Sequence, residues 1–339
     1  MLISYNGLIL CFLGGVMKQI RIGNSNIHAS EIALGCMGMG GEWTHNPLTN
    51  EVKKQALVTI EAALEQGINF FDHADIYTYG KSEEAFSGIW ETDLVKREEI
   101  YIQSKCGIRL KGSLGEGSAP HYDFSYQYII DSVDGILKRL KVDYLDSLLL
   151  HRPDALVEPE EVAQAFSELQ ALGKVRHFGV SNHNPHQIEL LKRYIEQDLI
   201  VNQMELSLVH ANLIDEGMNV NSLTNPIDHR SQGTLEYARL NHMTIQAWSP
   251  LATGMLTKEK VEAPYQAAHE VIKEYANEFG VSQEAILMAW LLRHPAKIQP
   301  IVGTKNPQRI KAVCEGSQVK LTREQWYRLY NVIPGRSLL

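Results

Sequence analysis

Gly35-Cys-Met-Gly-Met-Gly-Gly41 runs directly into Glu42-Trp-Thr-His-Asn-Pro47. The glycine spacing resembles the turn of an open dinucleotide-binding sheet, where a G-x-G-x-x-G run leaves the first strand and opens a helix whose N-terminus meets a pyrophosphate. No helix opens here, because the residues after Gly41 carry no 3.6-residue period and soon reach a proline. The open-sheet reading fails at this point, and the fold has to be read from the rest of the chain.

Outward from that run, short β-rich stretches alternate with longer amphipathic ones. The strand candidates are 31–34, 69–72, 101–105, 147–150, 176–180, 199–203, 244–248 and 298–302. Helical patterns follow them at 52–66, 82–90, 124–140, 159–172, 185–194, 234–241, 282–293 and 307–314, several closed by glycine, as at Gly67 and Gly173. A strand followed by a helix, repeated to this count, predicts a closed (β/α)8 TIM barrel. Lys18–Ser30, turning at Gly23-Asn24, reads as a hairpin that closes the end of the barrel away from the catalytic face. The segments 106–123, 205–232 and the tail beyond Glu315 exceed simple connections, so the first two predict long loops at the catalytic face.

The chain has 339 residues, 44% of them hydrophobic and 21% charged, which suits a large buried core and excludes global disorder. Lys plus Arg number 32 against 40 Asp plus Glu, a net charge of −8 that offers no basic field to nucleic acid or an anionic membrane. Cys11, Cys36, Cys106 and Cys314 lie far apart with no metal-ligand spacing, so no metal is expected and a cytoplasmic setting fits best. Residues 1–16 are apolar but too short to span a bilayer and lack a basic lead, so Met17 is favoured as the physiological start, with a genuine N-terminal extension as the alternative. Residues 17–339 read as one domain.

Polar residues collect where the strands end. Asp72 and Lys105 end the second and third strands, His151 follows the fourth, Ser181 and Asn182 follow the fifth, Gln203 ends the sixth, Ser249 follows the seventh, and Tyr77 lies just after Asp72. Tyr, Lys, Asp and His have one coherent joint use. An ammonium beside a phenol stabilises the phenolate and lowers its pKa from about 10. Lys105 would supply that charge, Asp72 would keep the lysine protonated, and His151 would hydrogen-bond the hydroxyl and the oxygen of a carbonyl substrate. Other conspicuous residues take plainer readings: Cys106 as packing, His73 turned from the mouth by strand alternation, and Ser82 as the N-cap of a helix whose first turn holds Glu83 and Glu84.

The segments GINFFDHADIYTYGKSEEAFS (67–87), IQSKCG (102–107), LLLHRPD (148–154), GKVRHFGVSN (173–182), AWSPL (247–251) and IVGTKNPQRI (301–310) together resemble the successive signatures of the aldo-keto reductase superfamily. The likeness spans about residues 19–313, and the SKCGIR…HY and LTREQWYRL segments look closest to a bacterial branch of oxidoreductases with poorly defined substrates. The resemblance implies that Tyr77 is the general acid, supported by Lys105, Asp72 and His151. It places NADP(H) along Gly38 and Met39, Asp72, the carboxamide positions Ser181, Asn182 and Gln203, the stacking residue Trp248, and the strap at Ser249 and Leu251. Thr304, Lys305 and Arg309, at a helix start, would hold a 2′-phosphate, which favours NADPH over NADH.

The chain departs from the pattern at Ala312 and Val313, where a Glu-Asn pair often contacts adenine, so its adenine contacts must differ. His151, where steroid double-bond reducers carry Glu, argues against enone reduction. Trp43, Tyr126 and the 205–228 loop are expected to line the pocket. The expected activity is reversible reduction of an aldehyde or ketone by NADPH/NADP+ on a small-molecule carbonyl substrate. Two alternatives stay open: a regulatory NADP(H)-binding subunit resembling channel β-subunits, and an NAD-linked sugar or polyol dehydrogenase of the same superfamily.

Overall fold

The computed structural model describes residues 17–220 and 231–336; the N-terminal segment 1–16 and the 221–228 part of the expected pocket loop lie outside the described residues. A hairpin of β1 (Gln19–Arg21) and β2 (His28–Ser30) leads into a barrel of β3 (Ala33–Gly35), β4 (Phe70–Asp72), β5 (Tyr101–Cys106), β8 (Leu145–Leu150), β9 (Val175–Ser181), β10 (Leu199–Glu205), β11 (Thr244–Trp248) and β12 (Gln299–Val302). These strands close in the order β10-β11-β12-β3-β4-β5-β8-β9, every barrel pairing parallel. The segment after β5 adds β6 (Ile108–Arg109) and β7 (His121–Tyr122), a short antiparallel pair.

Around the barrel lie α1 (Asn50–Glu65), α2 (Lys81–Phe86), α3 (Tyr126–Leu140), α4 (Pro159–Ala171), α5 (Pro185–Lys192), α6 (Asn212–Met218), α7 (Thr234–Leu240), α8 (Gln266–Phe279), α9 (Gln283–Leu292), α10 (Pro307–Cys314) and α11 (Arg323–Asn331). Their starts follow from capping chemistry. Thr49, Ser282, Asn306 and Thr322 each accept a backbone N–H of the first turn, and Pro159, Pro185 and Pro307 occupy first-turn positions where the missing N–H costs nothing. One face of α3 buries Ile129, Val133, Ile136 and Leu140, the i, i+4, i+7, i+11 stripe of an amphipathic helix. The hairpin residues Ile22, Ile27 and Ala29 pack with Ala33, Phe70, Ile200 and Ile301, so the hairpin seals the end where the strands begin.

The structure departs from the expected elements at three points. In place of one helix over 82–90 there is a kinked series: a 3-10 turn Tyr77–Gly80, then α2, then a second turn Ser87–Glu91. Thr78 and Tyr79, ahead of that span, take left-handed φ values of 49° and 61°, so the chain from Tyr77 cannot run into α2 as one helix. Helices α8 and α11 add to the expected set: α8 buries Ala268, Ile272, Tyr275 and Ala276 at helical spacing and ends at Gly280, and α11 lies in the tail beyond Glu315. Ser82 is not an N-cap; Gly80 holds that position, while Glu83 and Glu84 do stand in the first turn of α2, Glu83 fully buried.

Candidate active site

Strand alternation turns Asp72 and Lys105 inward at the ends of β4 and β5. Lys105 Nζ lies 2.8 Å from Asp72 Oδ2, 2.7 Å from the His73 carbonyl and 3.1 Å from the Tyr77 hydroxyl. Three acceptors for three ammonium protons leave the lysine saturated. Burial works against its charge, but Asp72 and Tyr77 outweigh that and hold its pKa above the ordinary value. For Tyr77 the balance differs from the sequence-based expectation: burial pushes the phenol above its usual value, Lys105 pulls it down, and Asp72 pushes it up again. The ammonium's effect is thus partly cancelled by the carboxylate that keeps it charged.

His151 stands edge-on to Tyr77, ring centroids 5.9 Å apart, and the expected hydrogen bond between them is not formed. Its Nδ1 is buried without a partner. Burial, then the charges of Lys105 and Arg152, hold the imidazole well below its usual pKa, so it is neutral at pH 7.

The turn that carries Tyr77 is locked to the glycine-rich run. Ser82 Oγ donates to the Met37 carbonyl at 2.9 Å and accepts from Gly40 N at 3.1 Å. A Cβ at Gly40 would lie 2.0 Å from Thr78 Oγ1, so only glycine permits this approach. The run read above as a failed nucleotide turn therefore holds the segment that presents the phenol.

The other expected residues fall as follows. Ser181 Oγ donates to the Gln203 carbonyl at 2.8 Å; Asn182 Nδ2 donates to Ser181 Oγ, and Asn182 Oδ1 accepts from Trp248 Nε1 at 3.3 Å. Arg152 sits 5.8 Å from the Trp248 ring. Ser249 takes a left-handed φ of 51° and Leu251 is partly buried on the loop after β11. Gly38 faces the aliphatic stem of Lys305, so the loops after β3 and β12 meet, while the Met39 side chain is buried in the core. Lys305 and Arg309 are exposed and make no ion pair among the described residues, and Thr304 Oγ1 accepts from Asn306 N. Trp43 is half exposed against Tyr79. Tyr126 opens α3, and its hydroxyl donates to Glu168 of α4.

Sequence reading missed the floor of the site. Gln103, Gln246 and Gln299 are fully buried inside the barrel, where apolar branched residues are usual. The available signal was their spacing: Gln103 stands two residues before Lys105 and Gln246 two before Trp248, each on the same strand face. Among the described residues no cluster of His, Cys, Asp and Glu is arranged to hold a metal, and no helix is long and apolar enough to cross a membrane.

The closed parallel barrel thus carries a buried Asp-Lys pair beneath a phenol at its strand ends, and comparison with known proteins shows the family. Residues 31–333 match the model of the Aldo/keto reductase family. The chain is 36% identical over 321 residues to the uncharacterized oxidoreductase YcsN of Bacillus subtilis, covering 94% of this chain and 99% of that protein. It is 33% identical over 323 residues to the 6-dehydroglucose reductase of Agrobacterium fabrum, covering 95% and 100%. In fold it matches an aldo/keto reductase of Klebsiella pneumoniae solved with NADP and acetate, with a TM-score of 0.70, 22% identity and coverage of 94% and 96%. The chain belongs to the aldo/keto reductase family.

Proposed function

We propose that this protein uses NADPH to reduce an aldehyde or ketone reversibly to an alcohol, with Tyr77 as the proton donor. The observation that carries the reading is the Tyr77 hydroxyl 3.1 Å from an ammonium that is itself 2.8 Å from a carboxylate, all at the strand ends. When bound, a nicotinamide dinucleotide would supply the hydride for the carbonyl carbon. Tyr77 delivers a proton to the carbonyl oxygen, Lys105 offsets the charge left on the phenolate, and Asp72 keeps Lys105 protonated. Neutral His151, whose ring nitrogens make no bond to Tyr77, is free to hold the substrate oxygen.

The residues fit a phosphorylated dinucleotide. Lys305 and Arg309 are exposed cations at the start of α10, with Gly38 beside the Lys305 stem, and Arg309 can pair bidentately with a 2′-phosphate. The NADP-bound Klebsiella neighbour supports that choice. The 6-dehydroglucose reductases among its relatives place sugar-derived aldehydes first in a substrate panel. Residues 17–339 are read as the working unit, and the buried free thiols Cys36, Cys106 and Cys314 support a reducing cytoplasm.

The test is a titration with NADPH and NADH by tryptophan quenching, with Arg309→Ala in parallel, followed by carbonyl turnover in wild type and Tyr77→Phe. Tight NADPH binding that Arg309→Ala weakens, with turnover lost only in Tyr77→Phe, is the expected result. An NADH preference unaffected by Arg309→Ala would favour the NAD-linked dehydrogenase. Tight NADPH binding without turnover on any carbonyl would favour the regulatory subunit.

A further inference from the structure

Beneath the reacting groups lies a closed set of hydrogen bonds that no residue role above accounts for. Gln103 Nε2 donates to Asp72 Oδ1 and to Gln246 Oε1, both at 2.7 Å. Gln203 Nε2 makes the same two bonds at 3.0 Å and 3.1 Å. Gln246 Nε2 passes to Gln299 Oε1 at 2.9 Å, and Gln299 Nε2 ends on the Ser30 carbonyl at 2.8 Å. Ser147 Oγ donates to Gln103 Oε1 at 3.1 Å.

The direction of these bonds is fixed at both ends. Asp72 as a carboxylate and the Ser30 carbonyl can only accept, so each glutamine must turn its NH2 toward Asp72 or Ser30, and flipping any one would set oxygen against oxygen. Both protons of Gln203 Nε2 are thereby used inside the barrel, and its Oε1 is the atom that no partner in the layer engages. Such a layer is costly in a barrel core unless every group is satisfied, and no buried amide atom of these four glutamines lacks a partner.

We infer that Gln103 and Gln246 are positioning residues that hold the Asp72 carboxylate and the Gln203 amide in one fixed register, tying the charge beneath Tyr77 to the atom Gln203 presents toward the cofactor. The inference rests on the proposed reductase reading for its consequence, but the register itself is a property of the cofactor-free chain. The charged and titratable groups that face Tyr77 are Lys105 from β5, Asp72 from β4, Cys36 after β3 and neutral His151 after β8. Each N–H that Asp72 accepts weakens the negative potential it exerts on the phenol. Removing the Gln103 donor therefore raises the phenol's pKa.

The experiment compares Gln103→Met, Gln246→Met and Gln299→Met, which keep side-chain volume but lose the amide. The phenol of Tyr77 is titrated by NMR in cofactor-free protein labelled at tyrosine Cζ, assigned with Tyr77→Phe. Gln103→Met should move the midpoint up by about half a pH unit or more, while Gln299→Met, equally buried but not touching Asp72, should lower the melting temperature without moving it. Gln246→Met, which strips Gln203 of a partner, should also weaken NADPH binding about tenfold. An upward midpoint with a matching upward shift in the alkaline limb of carbonyl reduction supports the inference. A midpoint that stays put in both Gln103→Met and Gln246→Met, or moves equally in Gln299→Met, overturns it whether or not the wild type is active. A wild type without carbonyl turnover but with the midpoint moved would defeat the reductase reading and leave the register standing.

Discussion

Lys105 and Asp72 meet at 2.8 Å with side-chain exposures of 0% and 3%, a fully desolvated ion pair at the centre of the barrel mouth. Removing one partner of such a pair strands the other charge without water, which typically costs ~3–5 kcal/mol, whereas removing both costs far less. Asp72→Asn is therefore expected to destabilise by about 3 kcal/mol or more in denaturant unfolding. The double variant Asp72→Asn/Lys105→Met should recover much of that stability while remaining inactive. Equal stability of the single and double variants would show that the pair is not coupled.

Carbonyl reduction should be insensitive to pH across the neutral range. Reduction needs the phenol protonated, and burial, opposed by Lys105 and aided by Asp72, places the Tyr77 pKa above its ordinary value of about 10. The rate should fall only as pH rises through that raised value, and alcohol oxidation, which needs the phenolate, should rise over the same interval. Since burial keeps the His151 imidazole neutral, no inflection belongs near its usual value of about 6.5. Rate profiles in both directions check this, and a reduction rate that halves near pH 6.5 would contradict it.

Much of this site was legible because strand ends are where a barrel must put its reacting groups. Asp72, Lys105 and His151 could be placed from strand boundaries accurate to a residue or two, and the structure brings Asp72, Lys105 and Tyr77 within hydrogen-bond reach. What escaped depends on partners distant in sequence. Gln103 looks like an ordinary strand residue until β10 and β11 bring Gln203 and Gln246 against it. The burial of Glu83 is invisible in its helix-start position because the partner that permits it, Arg139, lies on α3. The Tyr126 hydroxyl likewise finds its partner, Glu168, on a different helix 42 residues away.

Two buried groups should tilt the pH dependence of stability in opposite directions. His73 is fully buried with neither ring nitrogen bonded, and burial and then Lys105 depress its pKa to about 3. An unfolded histidine binds its proton below about 6.5, so this site costs stability progressively as pH falls from there toward 3. Asp75, raised to about 7 by burial and Glu83, does the reverse: its contribution is complete below the unfolded value of about 3.9 and is lost as pH rises toward 7. Between about pH 4 and 6.5 the two slopes oppose each other, so His73→Phe should leave the Asp75 contribution alone and melting temperatures that fall as pH rises toward 7. Asp75→Asn should leave the His73 contribution alone and melting temperatures that rise from about pH 4 to 6.5. Unchanged profiles in both variants would mean that these groups do not titrate as buried sites.

The salt bridge between Arg139 and Glu83 supports the turn that presents Tyr77, and its loss should reach the active site. Arg139 Nε donates to Glu83 Oε2 at 2.7 Å, and Glu83 Oε1 accepts from Ser104 Oγ at 2.8 Å, beside Lys105 on β5. Burial raises the Glu83 pKa, while Arg139 pulls it back and favours the carboxylate. Arg139 also lies across Gly80, where an added Cβ would come within 2.7 Å of its Cδ on a backbone of φ 85°. Arg139→Met keeps that packing but removes the charge, leaving a buried carboxylate that must take up a proton, so stability should drop by roughly 3 kcal/mol. Adding Glu83→Gln should restore part of it by removing the unpaired charge. If the turn from Tyr77 to Gly80 rests on this contact, Arg139→Met should also lower kcat more than it raises KM for NADPH, whose proposed contacts are on other loops. A variant whose KM rises while kcat holds would place Arg139 in cofactor binding and refute a role in supporting the phenol.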